Sequence, residues 1–254
     1  MIICNNWFCR LGNNIIQLYK LIRYAIYHNH NMKFNCKKHS YFNVSVIEEY
    51  FNKYNHPEIL INDGWIVKNK NGVIPDDIVK KNFLKHASKE EFEKINKEAI
   101  DVLKQSFTIK QDTIDILEDT TIVVHVRSGD VFDKQPHMMY VPPPLSYYVN
   151  ILNASDYTKI IIVCEDSVNP IVNKLLELYK NATFKKQSLT EDIKIILGAK
   201  TIINSVGSFI PFLLLLSENN KTCHSIDKDE HKEYYTLNSP WKANTQQRDN
   251  ILKY

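Results

Sequence analysis

The feature that most constrains this chain is an alternation in its second half. Short β-branched runs are followed by segments of helical periodicity. Thr121–Val126 and Lys159–Cys164 are apolar almost throughout, as strands buried on both faces are. Helices are predicted over 146–152, 168–178, 189–199 and 209–216, with further strands at 201–204 and 222–226. Strands that alternate with helices imply a parallel sheet covered on both sides, and hence an α/β fold. The first half opens the same way. A strand at 1–4 leads through a turn containing Gly12 to a helix carried by Ile15, Ile16, Tyr19, Leu21, Ile22, Ala25 and Ile26. A second strand is expected over 32–36.

Residues 41–75 are mixed, with turn signals at Asn62-Asp63-Gly64 and Asn71-Gly72. Residues 76–106 are charged and helical, and Ser88 with Glu91 forms a capping box that starts one helix. The charged stretch from 76 to 120 is predicted to link two lobes, 1–115 and 116–254. A solvated helix surface explains its charge better than a partner-binding face.

Composition narrows the function classes. With 254 residues, 44% of them hydrophobic, the chain can bury one large core or two small ones. A net charge of +3 is too weak for a nucleic-acid binder. The N-terminus lacks the basic and apolar regions of a signal peptide. The most apolar run, 209–216, contains Pro211 and is too short to span a bilayer. A soluble cytoplasmic protein without a transmembrane segment is expected. The five cysteines are scattered, and Cys4 and Cys9 lack the second pair a metal site needs, so reduced thiols are expected.

Ligands of open parallel sheets bind beyond the carboxyl ends of the strands. Two unusual segments fall there. In the first, His125-Val126-Arg127-Ser128-Gly129-Asp130, a strand ends in an arginine and a glycine turn. A guanidinium is always charged and its planar fork matches phosphate oxygens. A structural ion pair, for instance with Asp130, is an equal reading. In the second, Asn204-Ser205-Val206-Gly207-Ser208-Phe209, a strand passes through small residues to a helix start, which suits an anion. Ser205 or Ser208 acting only as a helix cap is the commoner event. Asp192 complements a helix dipole or accepts from a base, and His125 is a core histidine or a ring near a nucleotide. In the first half, Arg10-Leu11-Gly12-Asn13 lacks the further glycines of a dinucleotide fingerprint. Gly12 permits a turn, and Asn13 is a candidate N-cap.

Taken in order, these segments resemble the α-1,2/α-1,6/protein-O-fucosyltransferase superfamily. Its N-terminal G-R-[LF]-G-N-Q segment reads Cys9-Arg10-Leu11-Gly12-Asn13-Asn14 here, and its H-x-R-x-G-D motif is residues 125–130. The C-terminal pattern is met by Asp192, Ala199, Ser205, Gly207, Ser208 and Phe209. The resemblance implies a GT-B-like α/β fold of two Rossmann-like lobes facing a cleft. It implies a glycosyltransferase, an inverting fucosyltransferase that moves L-fucose from GDP-fucose to a glycan hydroxyl without a cofactor or a required metal. By position, Arg127 would be catalytic at the β-phosphate. Asp192 would meet the guanine, His125 the nucleoside side, and Ser205 with Ser208 the phosphates, with Gly207 and Phe209 also binding the donor. Arg10, Gly12 and Asn13 would lie on the acceptor side. Many members carry two adjacent arginines, and the second position here is Ser128. A related transferase for another deoxysugar such as rhamnose, or a silent nucleotide- or sugar-binding module, would share these motifs. Asp130, Asp133 and Glu165 are the carboxylates available as a general base, and the sequence does not choose among them.

Overall fold

The computed structural model of the chain describes residues 2–7, 9–36, 38–52 and 87–254, and the strands at 59–62 and 66–69 by their backbone. It divides into two compact units, Met1–Gln111 and Asp112–Tyr254.

Unit 1 is built on a sheet of order β2-β1-β3-β4, comprising β1 (Ile2–Cys4), β2 (Met32–Phe34), β3 (Ile59–Asn62) and β4 (Ile66–Asn69). β1 runs parallel to β2 and to β3, whereas β4 returns antiparallel. The sheet is therefore mixed, not purely parallel as the strand–helix alternation implied. The turn signals at 63–64 and 71–72 lie outside the described residues. The predicted first helix is α1 (Leu11–Tyr27), which buries Ile15, Ile16, Leu18, Leu21, Ile22 and Ala25. Two expectations fail at its start. Gly12 sits inside the first helical turn and makes no turn before it, and Arg10, not Asn13, is the N-cap. The left-handed residue of this loop is Cys9, at φ 55°.

The charged stretch expected to link two lobes is only partly a connection: the units divide inside it, after Gln111, whereas its described residues 89–106 form a helix of unit 1. After α2 (Val44–Phe51), the chain forms α3 (Lys89–Ser106), which buries Ile95, Ala99, Val102 and Leu103. Tyr19 on α1 donates to Asn96 Oδ1 of α3 at 3.0 Å, and the Arg23 guanidinium lies 5.2 Å from the Phe92 ring centroid. The heptad-like apolar stripe makes α3 part of the unit 1 core, and its charges occupy the solvent side. Ser88 caps it as predicted, accepting from the Glu91 backbone N–H at 3.1 Å.

Unit 2 holds a five-stranded, all-parallel sheet of order β7-β6-β5-β8-β9. Its strands are β5 (Thr121–Val126), β6 (Lys159–Cys164), β7 (Ala182–Phe184), β8 (Thr201–Ile203) and β9 (Thr222–His224). Between them run α4 (Leu145–Asn153), α5 (Pro170–Leu178), α6 (Leu189–Gly198) and α7 (Phe209–Leu213), and α8 (Lys232–Asn238) and α9 (Thr245–Lys253) follow. Counted within the unit, the strand order is 3-2-1-4-5, the doubly wound order of Rossmann-like sheets. β5 lies at the centre and every one of its residues is buried. Its residues Ile122, Val124 and Val126 join Tyr148, Leu152, Ile162, Ile171, Leu175, Tyr234 and Trp241 in one core. The C-terminal segment closes this core: Trp241 Nε1 donates to the Val131 carbonyl at 2.6 Å, and Tyr234 donates to the Pro142 carbonyl at 2.7 Å.

Candidate functional site

A 3-2-1-4-5 order reverses direction between its first and fourth strands, here β5 and β8. The chains leave these neighbours toward opposite sides and open a crevice at their carboxyl ends. The two segments singled out in the sequence lie on the two sides of that point. Val124 pairs with Ile203 in register, so 125–130 and 204–209 emerge side by side.

On the β5 side, Arg127 follows the last strand residue. Its side chain is 18% exposed and pairs through Nη2 with Asp130, so the ion pair offered by the sequence is present. Gly129 has φ +63°, and a Cβ there would stand 2.3 Å from Glu165 Oε2. The turn therefore needs glycine for its backbone, and the Glu165 carboxylate closes over it. Ser128, at the position where the resembled motif has its second arginine, is 1% exposed and turns inward to Asp166.

On the β8 side, Ser205 is buried, and its Oγ accepts from the Tyr148 hydroxyl at 3.1 Å. Tyr147 donates to the carbonyls of Asn204 (2.8 Å) and His224 (3.0 Å), which ties the end of β8 to that of β9. Gly207 has φ +103° with open space where a Cβ would be, so the backbone there is accessible to a ligand. Ser208 occupies the N-cap position of α7 without a side-chain cap bond, so the capping reading does not apply to it. The helix predicted over 209–216 is α-helical only to Leu213 and continues as a 3₁₀ turn, Leu214–Leu216. So short a helix contributes little dipole, and the donors of this turn are its backbone N–H groups and hydroxyls.

Between the two sides, the His125 ring lies 5.9 Å from that of Phe209. Burial, reinforced by the Arg127 charge, pushes the imidazole down to about 3, so it is neutral at physiological pH. The nearby Asn204 side chain favours the protonated ring, yet no hydrogen bond is closed: His125 Nδ1 and Asn204 Oδ1 are buried without partners among the described residues. The core-histidine reading therefore holds, with the buried ring packed beside Phe209. Asp192, in the first turn of α6, is half-buried and accepts from Gln187 Nε2 at 2.8 Å. Burial raises its pKa, which marks a carboxylate short of compensating donors.

In unit 1, Arg10 is exposed, Gly12 buried and Asn13 half-buried at the start of α1. Behind them Gln17 donates to the Asn6 carbonyl at 2.8 Å. His39 Nδ1 accepts from the Tyr41 backbone N–H, so its Nε2 carries the proton and donates to Asn14 Oδ1 at 3.1 Å. Trp7 packs its ring 4.5 Å from that of His39. No local signal singles out Trp7 or His39, whose contacts with each other and with Asn14 join residues distant along the chain. All five cysteines are free thiols, as expected. No described helix is long and apolar enough to cross a membrane.

No protein-family model matches the chain, and no curated protein matches it. Among solved structures, it is similar to POFUT1 in complex with GDP at 10% identity and a TM-score of 0.48, over 89% of this chain and 99% of that one. It is also similar to the fucosyltransferase NodZ from Bradyrhizobium, at 11% identity and a TM-score of 0.44, over 85% and 92%. The E. coli heptosyltransferase WaaC with ADP matches at 10% identity and a TM-score of 0.39, over 96% and 99%.

Proposed function

We propose that this chain is a glycosyltransferase that takes its sugar from a nucleotide diphosphate, with GDP-fucose as donor and a glycan hydroxyl as acceptor. The observation that carries the proposal is the switch point of unit 2. A largely covered arginine stands on one side of it and an open Gly-Ser turn on the other. The motif resemblance at residues 125–130 and 192–209 selects the fucosyltransferase type.

Departure of the sugar builds negative charge on the diphosphate and oxocarbenium character on the ring. Fixed donors aimed at the leaving group lower that barrier most. Arg127 supplies the charge. Asp130 engages one part of its guanidinium, and the other N–H groups serve the β-phosphate. Backbone N–H groups at Gly207 and Ser208, with the hydroxyls of Ser205 and Ser208, hold the phosphate oxygens. Neutral His125 and Phe209 line the nucleoside side, and Asp192 accepts from the base N–H groups. Arg10, Gly12 and Asn13 serve the acceptor, and transfer needs no metal.

Thermal stabilisation of the purified chain by GDP, UDP and TDP, each with and without EDTA, tests this reading. A ligand at one hundred times its Kd stabilises by about 2.7 kcal/mol. GDP is expected to stabilise most, and EDTA to change nothing. No response to any nucleotide would remove the proposal, and loss of the response in EDTA would remove its metal-free form. Binding of GDP without turnover of any GDP-sugar would identify a silent binding module instead.

A further inference from the structure

Arg127 depends on a residue that the chemistry above does not use. Asn169, at the end of the β6–α5 loop, is fully buried, and each polar group of its side chain has a separate task. Oδ1 accepts from the Ile171 backbone N–H at 3.0 Å and so caps α5. Nδ2 donates to the Arg127 carbonyl at 2.9 Å. Its own backbone N–H donates to Ser128 Oγ at 3.1 Å, and that hydroxyl donates to Asp166. Asp166 Oδ1 also accepts the Val168 N–H at 3.0 Å, which stiffens the loop. The carbonyl of Arg127 and the side chain of Ser128 are thus both fastened to the start of α5.

We infer that Asn169 is the positioning residue for Arg127, acting with Ser128 to fix the backbone from which the guanidinium projects into the crevice. The inference rests on the proposed diphosphate site and deepens it. The fastening matters because the next residue, Gly129, is at φ +63° and brings little stiffness of its own. A donor fixed in advance needs no reorganisation when charge develops on the leaving group. The residue type follows from the geometry. One side chain must accept from a helix N–H through one atom and donate to a carbonyl through another, which an amide does, whereas a carboxylate has no proton to donate and a hydroxyl has a single oxygen for both tasks. Glutamine would stand one methylene too far for the cap. Ser128 completes the arrangement. Where related sequences carry a second cation, this chain has a small buried hydroxyl that immobilises the first.

Asn169→Ser keeps an oxygen to cap α5 and removes the amide nitrogen that reaches the Arg127 carbonyl. Calorimetric titration of the full chain with GDP is expected to show about tenfold weaker binding, the order of one buried hydrogen bond. Guanosine, which lacks phosphates, is expected to bind both proteins alike. In an Arg127→Ala background the same substitution is expected to change GDP affinity by less than about twofold, because the group it positions is gone. A merely structural role would weaken GDP and guanosine together, and in both backgrounds. That result, or an unchanged GDP affinity in Asn169→Ser, overturns the inference. If Asn169→Ser does not fold, Ser128→Ala takes its place with the same expectations and the same overturning results. Loss of GDP binding in Arg127→Ala alone leaves the proposed function standing without this inference, whereas absence of GDP binding by the unaltered chain removes both.

Discussion

Each unit sends its central strand into a loop that carries an arginine, and the two arginines are placed very differently. Arg10 follows β1, lies exposed, and caps α1 through its backbone alone. Arg127 follows β5 and is mostly covered, with its own carbonyl bonded to a buried asparagine. Strand length accounts for much of the contrast. β1 has three residues and β5 six, all buried, so β5 delivers its arginine from a rigid base at a sheet centre. A charge that is partly removed from water interacts more strongly with a phosphate, because the effective dielectric is lower. Arg127 therefore suits a fixed polyanion. Arg10 suits a partner that varies or arrives transiently.

Four measurements put this contrast to the test. The largest effect is expected from Ser128→Arg, which would introduce the second arginine of the motif that residues 125–130 resemble. The site is 1% exposed and the serine hydroxyl itself satisfies its neighbours Asn169 and Asp166, so the substitution removes those bonds and the added charge must be buried or the loop opened. A loss of about 3–5 kcal/mol is expected, seen as a fall in Tm on the order of 10 °C. A change near zero would show the end of β5 to be as open as that of β1. Next, Arg127→Ala is expected to lower turnover by roughly a hundredfold or more, against less than about tenfold for Arg10→Ala. The reverse ranking in steady-state kinetics would invert the assignment of the two units.

The third concerns acid. His125 has its pKa depressed from 6.5 to about 3 in the fold, so between those values the unfolded chain binds the extra proton. Its contribution to stability is complete above pH 6.5 and is lost as pH falls toward 3, by up to about 1.4 kcal/mol per pH unit. Urea midpoints of the unaltered chain are expected to fall more steeply from pH 6.5 to 5 than those of His125→Gln, and parallel curves would contradict the buried neutral ring. The smallest effect belongs to unit 1. Ser88→Ala removes the cap of α3 and is expected to cost about 1 kcal/mol. Hydrogen exchange should quicken at the first turn of α3 and stay unchanged in β5 and β6.

What could be read from the sequence followed chain-local chemistry. The runs at β5 and β6 are long and β-branched, and their boundaries match the strands found. β7, Ala-Thr-Phe, is too short to carry a pattern, and α9 is mostly polar, so neither was foreseen. The antiparallel β4 fell in a stretch of mixed composition. Arg127 and the turn at 205–208 were recognisable because each has its chemistry within a few residues. Asn169 was not, although Asn-Pro at 169–170 is a helix-start signature. That dipeptide shows the cap. The bond to Arg127 spans 42 positions and exists only once β6 lies beside β5. That residues 89–106 of the expected linker are a core helix was hidden for a related reason. The charges of α3 were visible, whereas the partner for its apolar stripe, α1, lies far back in the chain.

The sheet of unit 2 tapers from six residues at β5 and β6 to three at each rim strand, β7 and β9. A rim of that length offers an incoming chain only one or two free backbone pairs, too few to template continued pairing. Fibre growth or swapped dimers through the borders of this sheet are thereby disfavoured, and the long β-branched runs that would aggregate most readily stay flanked on both sides.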